Sequence, residues 1–252
     1  MKYDILLIGG NGFVGRVLAA QLQAEGYSVL LPTRHLASAR ELRMLPKVHL
    51  EDADVHEFDS LQELCSRIKP GGAVINLVGV LHDKPAQPYG KVFEAAHVEL
   101  PKNIITAMQL HGLKRYLHMS ALGADSNGPS MYQRSKGDGE DAVKARTHDW
   151  TIFRPSVIFG AQDQFINLFS KLTKLFPAMP LANSGAQFQP VSVDDVASAF
   201  TKSLKMPSTI HQSYDLVGPT VYTMKEIVEF AAHKVNTKCA IIPVPAFVGY
   251  LQ

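Results

Sequence analysis

Three glycines spaced three apart, Gly9, Gly12 and Gly15, fall between an apolar run, Asp4 to Ile8, and an amphipathic run, Val14 to Glu25. A strand that enters a helix through such a turn leaves few folds open to the chain. The first glycine allows a sharp turn, the second allows close approach to a bound group, and the third lets the helix pack tightly on the strand. The start of the helix presents unpaired N–H groups to an anion, and a pyrophosphate suits that arrangement. A tight turn without a ligand could use the same glycines, so it is the strand-to-helix setting that carries the argument.

That setting repeats. Short runs rich in Val, Ile and Leu follow at Ser28 to Pro32, Val48 to Asp52, Ala73 to Val78, Arg115 to Met119 and Trp150 to Arg154. Helical periodicities separate them at Ala37 to Leu42, Leu61 to Ile68, Lys91 to His111 and Tyr132 to Thr147. Strands alternating with helices, joined by right-handed crossovers, give an α/β fold: a doubly wound parallel sheet of the Rossmann kind with helices on both faces. After Pro155 the rhythm loosens, with Pro177, Pro180, Gly185 and Pro190 dividing the chain into short pieces. Ser213 to Val217 reads as another strand, and Thr223 as an N-cap ahead of a helix over Met224 to Val235. The expected organisation is a dinucleotide-binding domain over residues 1–160 and a small C-terminal substrate lobe over 161–252, with 190–220 returning to the Rossmann core.

Composition narrows the function classes. A chain of 252 residues, 46% hydrophobic, can bury a core of this kind as one domain with a small second lobe. The formal charge of +2, with basic residues scattered, argues against nucleic acid as a partner. Cys65 and Cys239 stand far apart with no metal-ligand spacing around either, so reduced thiols and no metal are expected. The apolar run Ile5 to Ile8 is too short for a signal peptide, and no run of about 18 apolar residues occurs. These features predict a cytoplasmic protein without a membrane span, with peripheral attachment to the inner membrane left open.

The end of the second strand distinguishes the dinucleotides. An Asp or Glu there bonds the ribose 2′-hydroxyl of NAD(H), whereas an arginine accommodates the 2′-phosphate of NADP(H). The strand ends Pro32-Thr33-Arg34-His35, without a carboxylate, and Arg34 can pair bidentately with phosphate. NADP(H) is therefore the expected cofactor, with Arg40 as a possible helper and NAD(H) as the alternative; a solvated strand end would also explain Arg34. Asp54 and Val55 follow the third strand, and Leu77, Val78 and Gly79 close the fourth. Ligands of open α/β sheets bind at such carboxyl ends, where Asp54 could meet the adenine and Gly79 a ribose, unless they are plain loop residues.

A second constellation concerns chemistry. Tyr132 and Lys136 share one helix face, and Ser120 lies just past the fifth strand. Hydride transfer at a carbonyl carbon needs a proton donor or acceptor at the oxygen. Tyr132 can serve if its pKa falls from about 10, Lys136 can stabilise the phenolate and hold a ribose, and Ser120 can bond the substrate oxygen. In the second lobe, Phe165, Phe169, Phe176, Met179 and Phe188 suit an apolar ligand or a plain core equally well.

Taken together, these residues resemble the extended and atypical branch of the short-chain dehydrogenase/reductase superfamily, which includes NAD-dependent epimerase/dehydratase-like proteins. The likeness rests on Ile8-Gly9-Gly10-Asn11-Gly12-Phe13-Val14-Gly15, Asn76-Leu77-Val78-Gly79, Tyr132-Gln133-Arg134-Ser135-Lys136, Arg154-Pro155-Ser156-Val157-Ile158-Phe159-Gly160 and Pro190-Val191-Ser192-Val193-Asp194-Asp195-Val196. It implies that Asn11, Phe13, Val14, Pro155 and Val157 join the cofactor site, and that Ser120, Tyr132 and Lys136 are catalytic. His97-Val98-Glu99 and Ser120-Ala121-Leu122-Gly123-Ala124 are most similar to bacterial relatives of the NADPH-binding accessory subunit of respiratory complex I. That likeness implies nucleotide held structurally and a respiratory complex as partner. His97 stands where catalytic members carry an asparagine of a proton relay; an imidazole could serve in the relay, or be a partly buried helix residue. The chain ends at Gln252, soon after Pro243, Pro245 and Phe247, where relatives continue, so part of the lobe is expected to lie outside this sequence.

Three functions follow from this reading. The first is an NADPH-dependent oxidoreductase acting on a small carbonyl or related substrate. The second is a non-catalytic NADPH-binding accessory protein of a respiratory complex, and the third is an epimerase or dehydratase of the sugar-nucleotide type.

Overall fold

Strands buried on both faces need apolar side chains along most of their length, and Ile5 to Ile8 and Val29 to Pro32 meet that demand in the first two strands. They are β1 (Tyr3–Ile8) and β2 (Val29–Thr33). The computed structural model describes residues 2–146, 148–237 and 239–244, so Thr147, Pro245, Phe247 and Gln252 lie outside the described residues. The chain divides into two units: residues up to Pro155 together with Asp194–Leu216, and Ser156–Val193 together with residues from Val217 onward.

In the first unit, β1 leads into α1 (Phe13–Ala24) and β2, and a 3₁₀ helix (Leu36–Met44) leads to β3 (Val48–Asp52). Next come α2 (Phe58–Ser66) and β4 (Ile68–Asn76). A short α3 (Lys91–Phe93) passes through a π-helical turn (Glu94–Glu99) into α4 (Leu100–Leu110). Then β5 (Arg115–Met119), α5 (Met131–Lys144) and β6 (Asp149–Pro155) complete the run.

The seven-stranded sheet has the order β11-β6-β5-β4-β1-β2-β3, in which β11 is Gln212–Leu216, and every pairing in it is parallel. This is the strand order of the Rossmann fold, whose reversal of direction lies between β1 and β4. The glycine turn after β1 and the segment after β4 therefore flank the crevice where such folds bind ligands.

Alternation along β1 sends Leu6 and Ile8 into a core with Leu61, Leu64 and Cys65 of α2, Ile104, Ile105 and Met108 of α4, and Val143 of α5. Burial pushes the Cys65 thiol up to about 12, so it behaves as a small apolar residue. On the opposite face Leu7 and Leu31 lie under Gly10. Phe153 of β6 meets Phe200 of α7 (Val193–Ser203) with ring centroids 4.3 Å apart.

The sequence periodicity carries the helix expected over Leu61 to Ile68 through Ile68, but the structure ends it, as α2, at Ser66 and starts β4 at Ile68. Gly71, at φ 79°, and Gly72 lie inside the resulting irregularity, where the register of β4 against β1 shifts between Tyr3 and Ile5. The fourth strand also stops at Asn76, so Leu77, Val78 and Gly79 lie just beyond it.

The second unit is built of short pieces. They are β7 (Ile158–Phe159), α6 (Phe165–Leu175), β8 (Ala178–Ala182), β9 (Gln187–Phe188), β10 (Val191–Ser192), β12 (Tyr222–Thr223), α8 (Met224–Lys234) and β13 (Ala240–Val244). They form three two-stranded pairs, β10-β7, β12-β9 and β13-β8. Thr223 caps α8 through a reciprocal capping box with Glu226. Phe165 meets Phe169 and Phe188, while Met179 is buried with Leu181 and Val228 and Phe176 is exposed. Among the described residues, no helix is long and apolar enough to cross a membrane.

Candidate functional site

The glycine turn is shaped by close backbone approaches. Gly9 has φ 78°, a conformation that favours glycine, and a Cβ on it would lie 3.1 Å from the backbone of Leu77 and Val78. A Cβ on Gly10 would lie 2.6 Å from the Leu31 side chain, and one on Gly15 would run into the backbone of Gly10. These contacts seat α1 against the end of β1. Gly12 is the N-cap of α1 and offers no side chain, and the first turn, with Phe13, Val14 and Gly15, holds no acidic residue. A helix start of this kind, free of carboxylates, fits a pyrophosphate.

Beside this turn the structure assembles a polar cluster. Asn11 donates from Nδ2 to Ser38 Oγ at 2.7 Å and to Thr33 Oγ1 at 3.4 Å. Arg16 donates from Nε to the Asn11 carbonyl at 3.0 Å and from Nη2 to Asn11 Oδ1 at 2.9 Å. It also bonds the Ser38 carbonyl and pairs with Glu41 at 3.0 Å. Sequence reasoning passed over Arg16 and Ser38, although Arg16 follows the third glycine directly and shares the first turn of α1. Arg34 stands at the end of β2 with its Nη1 3.6 Å from Asp54 Oδ2. The two residues assigned separately to phosphate and adenine are thus partners of each other. Asp54 also accepts from the His56 amide at 3.0 Å, forming a turn ahead of α2, and the neighbouring Val55 packs on the core.

After β4, the Leu77 amide donates to the Ile8 carbonyl, and the Val78 amide donates to Oδ1 of buried Asn76. A Cβ on Gly79 would lie 3.1 Å from Lys136 Nζ. Lys136 is only 3% exposed, and its Nζ donates to the Met119 carbonyl at 3.3 Å. Burial lowers its pKa to about 8, against the opposing pull of Glu140. The structure therefore brings Lys136 and Gly79 together at the carboxyl end of the sheet, where Gly79 leaves space a side chain would fill.

Tyr132 opens α5, which starts at a capping box between Ser130 and Gln133. Its ring lies edge-on to His97, with centroids 5.6 Å apart, and to Phe93 at 6.0 Å; Phe93 in turn stacks on His97. Burial raises the Tyr132 pKa, the opposite of the shift that proton exchange near neutrality requires. Ser120 follows directly on β5, which ends at Met119. Its hydroxyl is buried and, among the described residues, has no partner of hydrogen-bonding geometry, yet it lies close enough to Glu140 to help keep that carboxylate ionised. Pro155 ends β6, and Val157 belongs to the second unit, where its carbonyl accepts from the Val191 amide.

A buried ion cluster underlies the site. Glu140 Oε1 accepts from Arg154 Nε at 2.7 Å, and Oε2 accepts from Arg154 Nη2 at 2.6 Å and Lys144 Nζ at 2.8 Å. Burial works to raise the carboxyl pKa, but the bonds from Arg154 and Lys144 prevail and hold it near 2. The i, i+4 spacing of Lys136, Glu140 and Lys144 was the available sequence signal for this cluster.

A family model described as the NAD dependent epimerase/dehydratase family matches residues 5–217. The chain belongs to that family. The match covers the glycine turn, Arg34, the region after β4 and the Tyr132–Lys136 segment. Against this family background, the chain is 33% identical over 230 residues to "NADH dehydrogenase [ubiquinone] 1 alpha subcomplex subunit 9, mitochondrial" of Arabidopsis thaliana. That alignment covers 88% of this chain and 56% of the relative, so the chain spans little more than half of the relative's length. It is 25% identical to a ceramide reductase of Caulobacter vibrioides, over 96% of this chain and 73% of that one. Among solved structures, the UDP-glucose 4-epimerase of Thermus thermophilus in complex with NAD superposes with a TM-score of 0.80 at 19% identity, covering 96% of this chain and 86% of that one. At that identity the likeness establishes a shared Rossmann-like fold.

Proposed function

We propose that this protein binds NADP(H) and uses it as an oxidoreductase on a small carbonyl compound. The observation that carries the cofactor preference is the end of β2: the strand end Pro32-Thr33-Arg34-His35 holds no carboxylate, Arg34 is 61% exposed with its one ion-pair partner among the described residues, Asp54, reaching it from beyond β3 at 3.6 Å, and Arg16 and Ser38 gather beside Asn11. Glu41, the partner of Arg16, has a side chain 78% exposed, so it can turn to water when a phosphate takes its place. Two guanidinium groups and a hydroxyl suit a 2′-phosphate better than a 2′-hydroxyl. Wild-type protein is expected to bind NADPH roughly tenfold or more tightly than NADH, and Arg34→Glu to remove that preference. Titrations with both nucleotides test this, and equal wild-type affinities would refute the preference.

At the other end of the cofactor, Lys136 beside Gly79 is suited to a ribose hydroxyl, and Tyr132 one turn earlier to the substrate oxygen. The nicotinamide would supply or accept the hydride. Lys136 would bring a positive charge toward the phenol, opposing the effect of burial, and Phe93 and His97 would hold the ring. Tyr132→Phe is expected to lower turnover by about 10²–10⁴-fold while leaving NADPH affinity within a factor of about two. NADPH absorbance over a panel of carbonyl and quinone substrates measures it.

The burial of Ser120 favours a second reading, a non-catalytic NADPH-binding accessory protein attached to a respiratory membrane complex. The name of the Arabidopsis relative points the same way. In that case neither wild type nor Tyr132→Phe consumes NADPH, both still bind it, and the protein co-migrates with the complex. An epimerase or dehydratase would instead convert a sugar nucleotide without net NADPH consumption.

A further inference from the structure

We propose that His97 is a positioning residue: a neutral imidazole, protonated on Nδ1, that ties the backbone leaving β4 to the first turn of α5. The assignment follows from counting protons. The backbone N–H of Val80 points to Nε2 at 3.1 Å, and an amide can only donate, so Nε2 must accept and carry no proton. Nδ1 then bears the ring proton and donates to Ser135 Oγ at 2.8 Å. Ser135 in turn donates to the Tyr132 carbonyl at 3.0 Å. Every donor in this chain has an acceptor, and its two ends lie on segments far apart in sequence.

The surroundings fix the ring as well. His97 is buried within the π-helical turn between α3 and α4, where the extra residue per turn redirects a side chain. Its own carbonyl lies where a Cβ on Gly139 would sit, so α5 abuts the backbone of the same turn. Phe93 stacks on one side, and Tyr132 stands edge-on. A second ring proton would set an N–H against the Val80 N–H, beside the charge of Lys136. Burial, then Lys136 and His118, lower the imidazole pKa to about 3, in accord with that geometry.

A proton relay through His97 is incompatible with this arrangement, because Nε2 is occupied by the backbone N–H of Val80, an amide too weakly acidic to give up its proton. The ring acts instead on Gly79 and Val80 from one nitrogen and on Tyr132 from the other. It thereby sets the spacing between the segment after β4 and the helix bearing Tyr132 and Lys136. Only the affinity measurement below rests on the proposed NADPH site.

Nitrogen-15 NMR of histidine-labelled protein tests the assignment without any variant. His97 is expected as the Nδ1–H tautomer, unchanged from about pH 8 to pH 5. A proton on Nε2, or titration near 6.5, would overturn it. The second measurement compares NADPH affinity in His97→Leu and His97→Gln. Leucine removes both bonds, while a glutamine amide oxygen can reach the position of Nε2 and accept from Val80. Affinity is expected to fall roughly tenfold in the leucine variant and to recover most of that loss in the glutamine variant. Unchanged affinity in the leucine variant, or equal losses in both, overturns the positioning role. If wild type takes up no NADPH, the cofactor reading fails, while the tautomer still decides the state of His97.

Discussion

Replacing Glu140 with alanine is expected to lower the unfolding free energy by about 3–5 kcal/mol, the range for breaking a buried ion pair from one side. The Glu140 side chain is 2% exposed and receives three charge-assisted hydrogen bonds, two from Arg154 and one from Lys144. Lys144, one-third exposed, can turn to water when its partner is gone. Among the described residues, Arg154 is left with Asp215, at 4.0 Å, as its ion-pair partner. Lys136 suffers indirectly, because Glu140 is the charge that opposes the effect of burial on its ammonium. Without that carboxylate its pKa falls below about 8, and a neutral Lys136 is a poorer partner for a ribose hydroxyl. Glu140→Ala should therefore weaken both stability and nucleotide binding, whereas Glu140→Gln keeps the shape and part of the bonding from Arg154. Urea unfolding at neutral pH checks the first effect. A loss below about 1 kcal/mol would mean the cluster behaves as an exposed pair does.

Mild acid is expected to destabilise the protein by a comparable amount, chiefly through two histidines, with His148, whose pKa burial also lowers, adding in the same direction. His97 and His118 are both buried, and in both burial, with Lys136 as the next contributor, lowers the pKa to about 3. An unfolded chain takes up protons on both rings as the pH falls through about 6.5, while the folded protein refuses them. The unfolded state therefore binds more protons between about 6.5 and 3, and stability declines as the pH falls through that window. Each ring contributes about 1.4 kcal/mol per pH unit, so moving from pH 7 to pH 5 should remove about 4 kcal/mol in total. Glu140 stays ionised over this range, since its carboxyl is held near 2, and does not add to the slope. Urea midpoints measured at intervals of pH test the sum, and His97→Gln should lower the slope by about 1.4 kcal/mol per pH unit. A flat profile between pH 7 and pH 5 would show that the two rings take up protons in the fold.

The sheet was legible because short runs rich in Val, Ile and Leu mark its central strands, as in Ile5 to Ile8 and Val29 to Leu31, and the helices between them keep their period. β3 falls on the expected residues, Val48 to Asp52. Ile68 was misread because it continues an apolar spacing from Leu61 and Leu64, and only the pairing with Tyr3 makes it a strand residue. The glycine turn was readable from local chemistry, since its constraints act between residues a few positions apart. Arg16, Ser135 and Glu140 were missed for a common reason: each acquires its role from a partner distant in sequence, Ser38, His97 and Arg154. Periodicity reports the i, i+4 pairing of Glu140 with Lys144 but not these distant ones. The burial of Ser120 was likewise hidden, because its position just after β5 is visible in the sequence while the packing of α5 over it is not.

Gly137 and Gly139 give α5 a further property. A Cβ at the first would collide with the backbone of Asp125 and Ser126, and one at the second with the carbonyl of His97. The helix thus rests on main chain along these contacts, without flexible side chains acting as spacers. Rotamer changes, which let ordinary helix interfaces shift by fractions of an ångström, have nothing to act on there. The middle of α5, around Gly137 and Gly139, should behave as a rigid platform with slow amide exchange, so that the placing of Lys136 and of Tyr132 one turn before it is completed during folding. A ligand reaching this helix then meets a surface already set, and little of its binding free energy is consumed in arranging it.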